Sequence, residues 1–153
     1  MRSDRGKRSL ADRVRRPREV HPEAAVLVTR DLAATAVRTR QGWRFAEDPS
    51  DVYAQRTPEQ ALRALVWATR NERWDVVLRL APRRYRIGLS EEDLAAAWTQ
   101  GEQAATLRAA RDRIAAQLGT PVPHDDHEAK LELGGTHAVR LEREGDAWVV
   151  VDF

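Results

Sequence analysis

Cysteine is absent from all 153 residues. That excludes disulfide frameworks, thiol nucleophiles and cysteine-ligated zinc or iron–sulfur centres. Lysine is almost missing too, with only Lys7 and Lys130, so arginine carries the positive charge. No apolar run approaches the ~18 residues a membrane-spanning helix needs. Nor does an apolar stretch of about 7–15 residues follow the basic start, as an export signal requires. As written, the chain reads as cytoplasmic.

What is present is a globular composition. Hydrophobic residues make up 42% of the chain and include five tryptophans, which argues against intrinsic disorder. The length suits about one domain, large enough to bury roughly two-thirds of its unfolded surface. The formal net charge is only +2, but it is unevenly spread. Arg2, Arg5, Lys7, Arg8, Arg13, Arg15, Arg16 and Arg18 face only Asp4, Asp12 and Glu19 in the first twenty residues. Residues 1–22 show no hydrophobic periodicity and read as a disordered basic arm. No aromatic interleaves the arm and no base-reading motif follows it, so it does not read as a nucleic-acid site.

Residues 25–49 and 129–153 look like two copies of one ending. Each contains a strand, a second strand with Ala-Val-Arg, a glycine-containing turn and a tryptophan-led third strand. Val37-Arg38 aligns with Val139-Arg140, Trp43 with Trp148, and Asp48 with Asp152. The first copy reads as a β-ribbon over residues 23–50, with its last turn at Gln41-Gly42. Asp48-Pro49-Ser50-Asp51 marks a boundary, and residues 51–153 form the main domain.

Within the main domain, Thr57-Pro58-Glu59-Gln60 predicts a helix start with a threonine cap, proline at the first position and a capping box completed by Gln60. Trp74, Val77, Leu78 and Ala81 mark a second helix that stops at Pro82. Ser90 opens a third, with Glu91, Glu92 and Asp93 at its positive end. Leu94, Ala97, Trp98 and Ala105 lie on one stripe, while Leu107, Ala110, Ile114 and Leu118 lie about half a turn away. That mismatch predicts a break near Gly101, with helices over about 91–100 and 102–118. The last 25 residues read as a meander, with turns at Gly134-Gly135 and Gly145-Asp146 and a final strand apolar on both faces. The whole is an α+β plan: three to four helices on a curved antiparallel sheet, plus the N-terminal β-ribbon.

Helices followed by a meander ending in Trp148-Val149-Val150-Val151-Asp152-Phe153 resemble the nuclear-transport-factor-two-like, or cystatin-like, superfamily. Thr57-Pro58-Glu59-Gln60-Ala61-Leu62, Arg73-Trp74-Asp75, Leu80-Ala81-Pro82-Arg83-Arg84-Tyr85 and Leu89-Ser90-Glu91-Glu92 narrow the likeness to a group of bacterial proteins of that type. The resemblance spans about residues 52–153. It implies a cone-shaped cavity between helices and sheet, in which some members isomerise, dehydrate or hydrolyse small molecules while many others only bind, dimerise or stabilise a partner. Relatives of this kind often carry an export signal, so an upstream start would make the protein envelope-associated. No cofactor is implied.

Several residues are candidates for chemistry. His124-Asp125-Asp126-His127-Glu128 groups two imidazoles with three carboxylates that could hold a divalent cation, but the loop lacks a helical His-x-x-x-His spacing and reads as a solvated cover at the sheet entrance. Asp75, Tyr53, Tyr85, His137 and Asp152 are candidates for acid–base work, since a buried carboxylate beside aromatic groups can acquire a raised pKa. An N-terminal helix role equally accounts for Asp75. Arg83-Arg84-Tyr85-Arg86 could contact an anion or partner, or its arginines could pair with Glu91, Glu92 and Asp93. Trp67, Trp74 and Trp98 read as core. Trp43 and Phe45 need cover, from the main domain or from a dimer mate. The expected role is a non-catalytic binding or assembly module, holding a small apolar ligand, a partner or a second copy. The alternative is a small-molecule isomerase, dehydratase or hydrolase.

Overall fold

The first helix begins where its cap dictates. Thr57 is extended, and its Oγ1 accepts the Gln60 N–H at 3.2 Å. Pro58 then opens α1 (Pro58–Arg70). In a computed structural model, which describes residues 23–29, 32–46 and 51–153, the reciprocal half of the capping box is displaced by one residue. Gln60 Oε1 accepts from the Arg56 N–H at 2.9 Å, not from that of Thr57. Gln60 is buried, so its amide must be satisfied, and its length carries it past the cap.

Four further helices follow among the described residues: α2 (Trp74–Leu80), α3 (Arg83–Arg86), α4 (Glu91–Thr99) and α5 (Ala104–Ala116). The one-turn α3 lies in a segment that reads as loop by sequence, because four residues are too few to show periodicity. Between α1 and α2, the Arg73 N–H donates to the Ala68 carbonyl at 2.8 Å. This closes a Schellman-type end that puts Glu72 at φ 56°, a position usually held by glycine. At α4, Ser90 and Asp93 cap reciprocally. The helix ends where both the Gln100 and Gly101 N–H groups donate to the Ala96 carbonyl. A Cβ at Gly101 would lie 3.4 Å from backbone atoms of Ala96 and Ala97, so the expected break occurs where glycine allows close approach. Past it the phase resets: Ala104, Ala110 and Ile114 are buried, whereas Ala105 is exposed.

The closing strands are β4 (Glu128–Gly134), β5 (His137–Glu144) and β6 (Ala147–Asp152), antiparallel in that order. Along β4, buried Ala129, Leu131 and Leu133 alternate with exposed residues, as the pattern predicts. Arg140 pairs with Asp152 while Leu141 pairs with Val150, so Val151 is an extra residue in β6. Before this bulge Trp148, Val149 and Val150 are all buried, so both faces of the strand are covered. Gln55 closes the outer edge of β6: its carbonyl accepts the Trp148 N–H at 2.8 Å and its amide donates to the Trp148 carbonyl at 2.9 Å. Leu62, Leu65 and Val66 of α1 join Leu131, Val139 and Leu141 in one core cluster. The α+β plan of helices on an antiparallel sheet is thus realised within residues 51–153.

The chain divides into two compact units, residues 1–50 and 51–153. The first contains β1 (Glu23–Thr29), β2 (Leu32–Thr39) and β3 (Gly42–Phe45), antiparallel in that order. The expected arm at 1–22 lies outside the described residues. Each strand of this sheet begins 105 residues before its counterpart in the second: Glu23 and Glu128, Leu32 and His137, Gly42 and Ala147. The register follows the same shift. Glu23 pairs with Val37 as Glu128 pairs with Glu142, and Arg38 pairs with Trp43 as Arg143 pairs with Trp148. Even the irregularity between Leu27 and Thr29 recurs between Glu132 and Gly134.

This shift corrects the sequence alignment. Val37-Arg38 corresponds to Glu142-Arg143, not to Val139-Arg140; the shared Ala-Val-Arg is three residues out of register. The turn lies at Arg40-Gln41, with Gly42 opening β3 at φ 114°. Likewise the β4–β5 loop is Gly135-Thr136, since Gly134 itself pairs with His137. Two-residue loops fix hairpin register more strictly than side-chain likeness does. Asp48 lies outside the described residues.

Two stability outcomes are expected. Leu141→Ala, at a fully buried site of the central strand, should cost about 3 kcal/mol, seen as a lower urea midpoint with an unchanged m-value. Glu72→Gly should instead add about 0.5–1 kcal/mol of stability, seen as a higher midpoint, because it relieves a left-handed conformation that L side chains resist.

Candidate functional site

Asp75 is engaged by its neighbour. Arg73 Nε and Nη2 donate to Oδ1 and Oδ2 at 2.9 Å each, and the same guanidinium lies 5.3 Å from the centre of the Tyr53 ring. The hydrogen bond to Arg73 holds the Asp75 carboxyl below its usual value. A general base of the kind proposed for a cavity would need the opposite shift. Tyr53 is half-buried against the core, and its carbonyl accepts from Arg79 Nη2 at 2.8 Å. The three side chains form a cation–π and ion-pair stack at the start of α2.

Arg83, Arg84 and Tyr85 sit on α3, and their partners correct the pairing expected from sequence. Arg84 grips Glu142 of β5 with two bonds, Nη1 to Oε2 at 2.7 Å and Nη2 to Oε1 at 3.1 Å. The Arg83 N–H donates to Glu144 at 3.1 Å. Glu91 and Glu92 take no part, and Asp93 is occupied in capping Ser90. Sequence reading missed Glu142 and Glu144; their place on a strand with alternating charge was the available signal. The Arg84 guanidinium also lies 4.8 Å from the centre of the exposed Tyr85 ring. The arrangement ties helix to sheet, with both the arginine and the glutamate held more firmly in their charged forms.

The histidine–aspartate loop is likewise turned to structural use. His124 Nδ1 lies 2.8 Å from the Val122 carbonyl, which places its proton there, and its ring meets Trp148 edge-on at 5.6 Å. Asp125 Oδ1 accepts the N–H groups of His127 and Glu128, both at 2.8 Å, and these bonds lower its pKa. Asp126 and His127 are exposed. Among the described residues no three histidine or acidic side chains converge as a metal site would require. His137 is exposed at its hairpin and Asp152 is exposed at the end of β6; neither comes with Asp75 into one site.

Two surface grooves lie in the second unit. One, of about 390 Å³, is lined by Pro123, His124, Asp125, Lys130 and Arg140 among others. The other, of about 410 Å³, is lined by Arg70, Glu72, Trp74, Trp98, Arg108 and Arg111. Arg108 Nη1 already donates to the Trp98 carbonyl near the end of α4, and Arg111 Nε donates to the adjacent Asp112. Trp98 stacks on Phe153 at 6.0 Å. Trp98 is buried as expected, and Trp74 is partly buried against the core cluster that includes Leu62, Val77 and Leu80.

The residues expected at a partner surface in the first unit stand apart. Trp43 is 53% and Phe45 46% exposed, whereas their register twins Trp148 and Val150 are 3% and 7% exposed. Among the described residues no helix is long and apolar enough to cross a membrane. Comparison with family models, with curated proteins and with solved structures found no match.

The carboxylates predict an acid limit. Asp75, Asp93, Asp125 and Glu142 are all lowered by hydrogen bonds. A lowered folded pKa contributes stability that is complete above the unfolded value, taken as 3.8 for aspartate and 4.5 for glutamate. It is lost as pH falls through the folded values. The thermal midpoint should therefore hold near neutrality and decline below pH ~4.5. Glu142→Gln should lower it at pH 7 and make the decline shallower; an unchanged profile would show that the Arg84 pair adds nothing.

Proposed function

We propose that the protein is a non-catalytic binding or assembly module whose first sheet is the docking face. The observation that carries this reading is the contrast between Trp43 with Phe45 and their buried twins. The two sheets share strand starts, two-residue loops and register, yet Trp43 and Phe45 stay in water on one of them. Exposed aromatics on a rigid surface are a feature of interaction sites. The resemblance of residues 52–153 to the nuclear-transport-factor-two-like superfamily agrees with this, since many members of that group bind or assemble. On this reading the second unit is the scaffold, and its ion pairs serve its own stability. The isomerase, dehydratase or hydrolase alternative draws no support from Asp75, whose carboxylate is lowered, nor from exposed His137 and Asp152.

The test is a photo-crosslinking residue such as p-benzoylphenylalanine, placed at Trp43 in cells that express the protein. A discrete adduct is expected from this position and none from Asp146, an exposed loop residue at the register twin of Gln41. Equal labelling at both positions, or no adduct at Trp43, would remove the reading.

A further inference from the structure

We propose that the groove among the helices of the second unit binds a small aromatic carboxylate. The proposal goes beyond the docking face of the first sheet and does not depend on it. The groove forms where the end of α1, the start of α2, the end of α4 and the middle of α5 meet. Its volume of about 410 Å³ falls within the range of small-molecule sites.

Arg111 supplies the charge. Its side chain is only 16% exposed, and a guanidinium so far withdrawn from water requires close pairing. Its one carboxylate partner is the next residue, Asp112, which takes Nε at 3.0 Å and is itself 59% exposed. The two Nη groups have no partner among the described residues. They are not sealed off either, since the enclosed unpartnered side-chain atoms are Arg63 Nε and Trp67 Nε1. Arg111 thus presents an open end-on fork, the geometry that grips a carboxylate with two hydrogen bonds. Arg108 stands three residues earlier on the same helix face, with Nη1 held by the Trp98 carbonyl at 2.9 Å. Glu72, the carboxylate in the lining, forms no ion pair with these arginines. Arg70, Arg108 and Arg111 against Glu72 and Asp112 leave a formal surplus of one positive charge. That surplus suits a monoanion better than a phosphate, which carries nearly two charges.

The tryptophans supply the apolar part. Trp98 is 5% exposed, and its indole N–H has no hydrogen-bond partner. Because that N–H is not enclosed, the little of the ring that meets solvent includes the donor. Buried indole N–H groups ordinarily find a partner. Trp74 is half-buried and lines the same groove, and its N–H is likewise unpartnered. Two indoles beside an open guanidinium fork match a planar ring that carries one carboxylate.

The probe is naphthoate, titrated into the full chain, with acetate, naphthylmethanol and inorganic phosphate as controls. Amide shifts should move in α5 and at the ends of α1 and α4, together with the Trp74 and Trp98 indole N–H signals. Naphthoate should bind about tenfold or more tightly than acetate, which lacks the ring, or naphthylmethanol, which lacks the charge. Arg111→Gln should weaken binding by a similar factor. Asp112→Asn should tighten it about two- to fivefold by releasing the arginine from its neighbour, a gain that a merely structural pair does not give. Asp112 is exposed, so this variant decides the matter even where Arg111→Gln fails to fold. No binding of naphthoate up to about 10 mM would overturn the proposal, as would shifts confined to other parts of the chain. Unchanged or weaker binding in Asp112→Asn would remove Arg111 from the site. Equal binding of naphthylmethanol would reduce the groove to an apolar slot, and tighter binding of phosphate to a simple anion site; either result overturns the aromatic carboxylate. All of these outcomes leave the Trp43 crosslink unaffected.

Discussion

Ala61, Leu62, Ala64, Leu65, Val66 and Ala68 leave α1 with almost no apolar surface in contact with water. Only Glu59, Arg63, Trp67 and Arg70 of this helix reach solvent, so it depends on being covered by the closing sheet and by its neighbouring helices. Each buried leucine in it contributes on the order of 1.5–3 kcal/mol, and none of that is available until β4–β6 have paired. The break at Gly101 belongs to the same constraint. Without it, Trp98 and Ile114 could not both reach the core, because their stripes lie on different sides of a continuous helix.

The first sheet repeats the second down to its loops and its irregularity, but among the described residues it has no helix of its own. Burial, not pairing, is what separates the two. Strand hydrogen bonds saturate the backbone equally well in each, whereas the apolar face is stabilised only by a cover.

The charged groups that might have made a catalytic site are used up in pairs. Arg73 holds Asp75, Arg84 holds Glu142, and backbone N–H groups hold Asp93 and Asp125. In each case the partner deepens the ionised state and moves the carboxylate away from the poised value that proton transfer at neutral pH requires. Only the nature of the candidate residues was legible beforehand. Arg84 lies 58 positions from Glu142, and no local pattern joins them, whereas Glu91 and Glu92 are near in sequence and take no part.

What the amino-acid order determined by itself was everything reachable within a turn or a pleat. It set the Thr57 and Ser90 caps, the stop at Pro82, the break at Gly101 and the alternation along β4, because each depends on residues within about four positions. Tertiary structure alone decided the 105-residue register, the Arg84–Glu142 clamp and the different fates of Trp43 and Trp148. Those depend on which distant segments meet. Two tryptophans in the same strand position differ in exposure because a helix covers one of them, and no residue beside either one encodes that cover.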